Sequence, residues 1–185
     1  LVILKVYKDK ENMGAVPGLK KEIENIKKDY LSLKEAHTQL HGELYHRVNL
    51  DLAPDSSEEE LVSNEELLRK SYKGEVKTEL IQKMFNFGRY LLISSSRPGG
   101  LPANLQGIWN GDYYPAWSSD FHNDENIQMN YWPALQGNLK ETLEPYFDYY
   151  ESMLDDYREN AKKLYNCRGI MAPISQSTHG MVWPS

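Results

Sequence analysis

Apolar residues recur at three- and four-residue steps along most of this chain, and that period limits its fold more than any single motif does. Leu19, Ile23, Ile26, Tyr30, Leu33, His37, Leu40 and Leu44 fall on one side of a long helix, opposite Lys20, Lys21, Glu24, Lys27, Lys28 and Glu35, and read as a core face. Ser63-Asn64-Glu65-Glu66 has capping-box spacing and opens a short helix carrying Leu67 and Leu68. A longer helix is predicted over about Glu75 to Ser94, burying Val76, Leu80, Met84, Phe87 and Leu91. Gly88 inside it costs about 1 kcal/mol relative to Ala, which points to close contact with a neighbouring helix. Ile127, Tyr131, Ala134 and Leu135 form a short helix interrupted or kinked by Pro133. A last helix, from about Leu139 to Tyr165, lines up Leu143, Tyr146, Phe147, Tyr150, Leu154, Tyr157 and Leu164 before the stop at Asn166-Cys167-Arg168-Gly169. The fold class is all-α. Only LVILKVYK (1–8) reads as a strand, followed by a linker, DKENMGAVPG.

Charge and cysteine usage remove several function classes. With 21 Lys+Arg against 27 Asp+Glu, a net −6, the chain is not a general nucleic-acid or membrane-surface binder, both of which need clustered positive charge. A single cysteine, Cys167, cannot form an internal disulfide and gives no redox compartment. No apolar run approaches the ~20 residues of a membrane span, and LVILKVYK is too short for a signal-peptide core. The acidic APDSSEEE reads as a solvated loop. The chain starts without Met and stops at Trp183-Pro184-Ser185 in what reads as a loop, so both ends read as cut.

The chemistry concentrates in residues 94–125, which have no helical period and are rich in Pro, Gly, Asn, Ser and aromatics. A structureless stretch of that length in a compact domain is functional or disordered, and its two Trp, two Tyr and Phe argue against disorder. Together with the next few residues it offers Arg97, Asn104, Gln106, Trp109, Trp117, Asp120, His122, Asn123, Asp124, Glu125, Asn126, Asn130 and Trp132. Amides and carboxylates pair with vicinal hydroxyls and Trp faces the C–H side of a sugar ring, so the mix suits carbohydrate better than phosphate. Arg97-Pro98-Gly99-Gly100 lacks phosphate-loop spacing, and no nucleophile elbow is present. Asp120, His122 and Asp124 form a weaker metal-binding alternative that does not match the calcium-loop pattern. The plainer reading of Asp124 or Asn126 is a helix cap, which does not exclude catalysis. His37 and His41, one turn apart, read as packed or capping histidines.

Two stretches are distinctive: FNFGRYLLISSSRPGGLPANLQGIWN (85–110) and PAWSSDFHNDENIQMNYWPALQGNL (115–139). They resemble the catalytic domain of glycoside hydrolase family 95, as do LYHRVNLDL (44–52) and, more loosely, RGIMAPISQSTHG (168–180). The resemblance covers roughly residues 30 to 180. It implies an (α/α)6 barrel and an inverting α-L-fucosidase or related α-L-galactosidase. In that family two amides of an Asn-x-Asn motif hold the attacking water, assisted by a downstream carboxylate. Counting back from Met129-Asn130-Tyr131-Trp132, the second Asn is Asn126 and the first is replaced by Asp124. Asp124 can therefore act as the base itself, or mark a subgroup with another substrate. The resemblance, together with their chemistry, assigns Asn104, Gln106, Trp109, Trp117 and His122 to sugar binding. It puts the general-acid glutamate and its supporting aspartate beyond residue 185. Glu125, facing away from its neighbours on any regular backbone, is not promoted to that role.

The resulting expectation is the N-terminal half of an (α/α)6 barrel over 15–185, with 1–14 the end of a preceding β-rich domain or a linker. A complete barrel of twelve helices needs more than about 200 residues. The implied partners are a fucosylated oligosaccharide or polysaccharide and the remainder of the catalytic domain; no cofactor, metal, nucleic acid or membrane is called for. Such an activity favours a periplasmic or secreted location. The alternatives are a non-catalytic carbohydrate-binding helical domain and an α-L-galactosidase.

Overall fold

The computed structural model describes residues 15–26, 29–52 and 62–177. Among them the chain forms helices α1 (Ala15–Glu24), α2 (Tyr30–Tyr45), α3 (Asn64–Ser71), α4 (Thr78–Ser95), α5 (Asn126–Tyr131), α6 (Pro133–Gln136), α7 (Glu144–Ser152) and α8 (Leu154–Tyr165). Short 3-10 turns occupy Ala116–Ser119 and Lys140–Leu143, and an isolated bridge joins Asn104 to Gly107. The all-α expectation is met. The strand at 1–8, the APDSSEEE loop and the first part of the 9–18 linker lie outside the described residues. The linker's end, from Ala15, is helical.

The long first helix is in fact two. Asp29 adopts an extended conformation and accepts the Ser32 N–H at 2.9 Å, starting α2 afresh. That N–H also holds the Asp29 carboxyl below its ordinary range. The last helix divides likewise. Pro145 opens α7 at a position where no N–H is needed, and the chain parts again at Met153. Pro133 starts α6, so of the interruption or kink expected there the chain makes the interruption, after α5. Asn166 ends α8 in the left-handed region (φ 51°), as the stop signal implies. The capping box forms as read, with Ser63 Oγ accepting the Glu66 N–H.

Packing of α2 against α4 brings Leu44, Leu92 and Ile93 into one core with Ile127, Tyr131, Ala134, Leu139, Tyr149 and Tyr157. The apolar faces read from the sequence are only partly used. On α2 Leu44 is buried, whereas Tyr30, Leu33 and Leu40 are exposed; on α4 Leu80 is buried, whereas Met84 and Phe87 are exposed, and Val76 falls before the helix and is exposed too. Leu135, Phe147 and Leu164 are exposed as well. Gly88 makes no close approach: a Cβ there would meet nothing within 4 Å.

A buried guanidinium ties the helices together. Arg89 donates from Nη2 to Leu44 O (2.9 Å), from Nη1 to Tyr45 O and Val48 O (3.0 Å), and from Nε to Gly137 O (3.3 Å). One cation thereby satisfies carbonyls at the end of α2 and in the turn after α6. Burial lowers its pKa from the ordinary arginine value, yet arginine stays charged at any physiological pH. Gly137 is required beside it, since a Cβ would sit 2.9 Å from Pro133 O.

A second tie runs in one direction: the Ala103 N–H donates to the Tyr131 hydroxyl, Tyr131 to Ser96 Oγ, and Ser96 to Thr142 O. Arg89→Met should lower stability by about 3 kcal/mol, since it strips a charged donor from several carbonyls at once. Arg89→Lys should recover only part of that, because a point charge cannot span the same acceptors. Urea unfolding followed by circular dichroism measures both.

Candidate functional site

The loop between α4 and α5 is ordered by its own amides. Asn104 Oδ1 accepts the Gln106 N–H (2.8 Å) and the Ser119 hydroxyl (3.0 Å), while its carbonyl accepts from Asn130 Nδ2 on α5 (3.2 Å). Gln106 Oε1 accepts from Asn110 Nδ2. Gly107 (φ 66°) takes a left-handed conformation, and the Trp109 indole lies against it where a side chain would otherwise project. Trp109 is half exposed and Trp117 is 76% exposed, so each offers a ring face to solvent.

Trp117, Ser118 and Ser119 are consecutive left-handed residues (φ 54°, 54° and 48°). Non-glycine residues hold that conformation only where the surroundings enforce it. Here the Asp120 N–H returns to Trp117 O and the Leu105 N–H bonds Asp120 O. The strained turn ends on Asp120, which is buried, and brings its carboxylate 3.2–3.3 Å from His122 Nδ1. The Trp117 ring stands edge-on to the same imidazole, with centroids 5.7 Å apart.

Residues 120–123 rest on the segment after α8. The Phe121 N–H bonds Gln176 O (3.0 Å) and the Asn123 N–H bonds Ile174 O (2.7 Å). Asn123 Nδ2 donates to Pro173 O, and its Oδ1 accepts the Tyr150 hydroxyl. Gln176, wholly buried, accepts from the Tyr157 hydroxyl and donates to that of Tyr149, which passes its own proton to Ser177 O. Burial pushes the Tyr149, Tyr150 and Tyr157 hydroxyls above the ordinary phenol value, so they remain donors.

Asp124 and Asn126 sit at the turn leading into α5, and both are exposed. Neither caps the helix: the cap position is Glu125, with no side-chain cap bond. Neither side chain makes a hydrogen bond or ion pair among the described residues. Glu125 between them has φ 71°, so the regular backbone assumed from the sequence is absent.

The loop thus brings His122 together with Asp120 and Trp117, and Asn104 together with Gln106, Ser119 and Asn130. Asp124 does not join Asp120 and His122. Among the described residues no group of three His, Cys, Asp or Glu side chains is arranged to hold a metal ion. Sequence reasoning missed Asp120 as the partner of His122, and Ser175 and Gln176 as supports. An Asp-x-His pair on extended chain points both side chains the same way, which is the signal that finds the first. His37 and His41 stack, with ring centroids 5.9 Å apart, and His41 also meets Tyr45 and Tyr90.

The glycosyl hydrolase family 95 catalytic domain matches residues 29–185. The chain is 42% identical over 149 residues to Alpha-L-fucosidase 2 of Arabidopsis thaliana, covering 79% of this chain and 18% of that protein. It is 39% identical over 140 residues to Probable alpha-fucosidase A of Aspergillus niger, covering 75% and 17%. The chain spans less than a fifth of the length of either relative.

Gly107→Ala should displace the Trp109 indole, because its Cβ would fall within 2.6 Å of Cε3, and should add about 1 kcal/mol of backbone strain. Tryptophan fluorescence and near-ultraviolet circular dichroism should change while the helical far-ultraviolet signal stays.

Proposed function

The chain belongs to glycosyl hydrolase family 95, and from that premise we propose that it forms the water-activating side of an inverting exo-glycosidase acting on α-L-fucosides. The observation that carries this reading is the condition of Asp124 and Asn126. Both side chains stand in solvent at the head of α5, spent neither on a cap nor on a partner among the described residues. The two relatives compared above are named as fucosidases.

Inversion needs a base that takes a proton from water on one face of the sugar and an acid that protonates the leaving oxygen on the other. Asn126 can only orient the water through its amide; Asp124 can orient it and accept its proton. The general acid belongs to the remainder of the catalytic domain. Trp117 offers a stacking face and His122 a ring nitrogen to a hydroxyl. Asn104 and Gln106 have their amide oxygens occupied, so their N–H groups are what they present to substrate.

In this reading the chain is the N-terminal part of an (α/α)6 barrel, and the remaining helices cover the exposed apolar faces. A groove of about 640 Å³ between α2, α3 and α4, lined by His41, Tyr45, Leu68, Leu80, Met84, Phe87 and Tyr90 among others, fits such a partner.

The test is made in the complete enzyme with an aryl α-L-fucoside. Asp124→Ala and Asn126→Ala should each lower kcat by roughly 10²–10⁴-fold, with KM little changed. Asp124→Asn restores an amide pair and separates the two versions of the chemistry. It should be as impaired as Asp124→Ala if the carboxylate is the base. Near-normal kcat in both alanine variants would remove the motif from the mechanism. The 185-residue chain alone should turn over no substrate.

A further inference from the structure

Among the groups not used by the proposed water activation, one buried acid has a single side-chain partner. The Asp120 side chain is only 4% exposed, and its carboxylate meets no Lys or Arg among the described residues. Its hydrogen-bonding neighbour is His122 Nδ1, 3.2 Å from one oxygen and 3.3 Å from the other. Ser175 Oγ lies 3.3 Å from the same nitrogen, reaching in from the segment after α8. A buried carboxylate without a donor costs several kcal/mol, so Nδ1 must supply the proton that this site needs. The opposite tautomer would set the Nδ1 lone pair against two carboxylate oxygens and leave Asp120 with no donor at all. Ser175 then shares the Nδ1 proton as a second acceptor.

We infer that Asp120 is a positioning residue: it fixes His122 in the Nδ1–H tautomer and so turns a bare Nε2 toward the sugar as a hydrogen-bond acceptor. This rests on the sugar-binding role given to His122 above and deepens it. Nε2 has no protein partner among the described residues, and Trp117, edge-on to the imidazole, supplies the adjoining ring face. The ligand group that this pair selects is therefore a hydroxyl that donates, on a sugar whose C–H face lies toward the indole. The backbone at Asp120 is tied down, its N–H to Trp117 O, its carbonyl to the Leu105 N–H and the next N–H to Gln176 O, so the main chain that carries the carboxylate is held beside the ring. Reading the tautomer from the hydrogen bond made by the other ring nitrogen is the same logic that orients metal-bound and catalytic histidines.

Nitrogen NMR of the ¹⁵N-histidine-labelled complete enzyme at pH 8 tests it without any variant. His122 should show a protonated Nδ1 and a bare Nε2; a protonated Nε2, in either the neutral or the doubly protonated ring, would overturn the proposal. Asp120→Asn replaces the acceptor with an amide that can donate to Nδ1, and the tautomer should reverse. Retention of the Nδ1 proton in that variant would mean that Asp120 does not set it. Ser175→Ala should leave the tautomer unchanged. Titration with L-fucose should then move the Nε2 resonance in the unsubstituted complete enzyme, and Asp120→Asn should weaken binding about tenfold, the worth of one good hydrogen bond. If the tautomer is as stated but L-fucose leaves Nε2 unmoved, the acceptor role and the sugar-binding reading beneath it fail, while the Asp120–His122 assignment stands.

Discussion

A loop of some thirty residues without α-helix or strand must still find partners for its buried polar groups, and in this chain tyrosine hydroxyls meet part of that need at both of its ends. Tyr131 accepts the Ala103 N–H where the loop leaves α4. Tyr149, Tyr150 and Tyr157 reach the other end, directly through Asn123 or by way of Gln176 and Ser177. A phenol suits this task because its ring packs in the core while its hydroxyl both donates and accepts at the margin. Each hydroxyl is part of a chain with one direction, so no proton is contested. The aromatic surplus of the sequence is therefore divided between two roles. The tyrosines of α5, α7 and α8 hold the loop from below, and the tryptophans it carries are left facing outward.

Arg89 performs the corresponding task for the helices. It sits on the face of α4 that turns inward, next to Leu92 and Ile93, and joins the end of α2 to the turn after α6. Without it, the helix termini that converge there would bury carbonyls with no donor. The strained residues from Trp117 to Ser119 are affordable because this scaffold on both sides is rigid. Strain of that kind in a loop that carries chemistry fixes side-chain directions in advance, which is what separates a poised site from an assortment of polar residues.

The elements that could be read from the sequence were those governed by local chemistry. The capping box at Ser63, the left-handed stop at Asn166 and the proline at the start of α6 each act within four residues, and each is where the spacing predicts. Helix continuity was less legible, since Asp29 and Pro145 change the local balance without disturbing the apolar period. The period itself reports that a face is apolar but not what covers it, which is why Leu33, Leu40, Met84 and Phe87 read as core yet stand exposed on this chain. For the site, the motif around Asp124 and Asn126 was visible as residues in order. The Asp120–His122 pair is open to the Asp-x-His spacing, but its supports from Ser175 and Gln176 depend on a segment fifty residues away folding back, and no spacing rule reaches that far.

In the proposed function Asp124 activates water rather than attacking the sugar. The direct test is the anomer first released when the complete enzyme cleaves an aryl α-L-fucoside, followed by proton NMR before mutarotation scrambles it. Water activation predicts β-L-fucose as the initial product. Initial release of α-L-fucose would mean retention through a covalent intermediate, and would contradict the role given to Asp124 and Asn126.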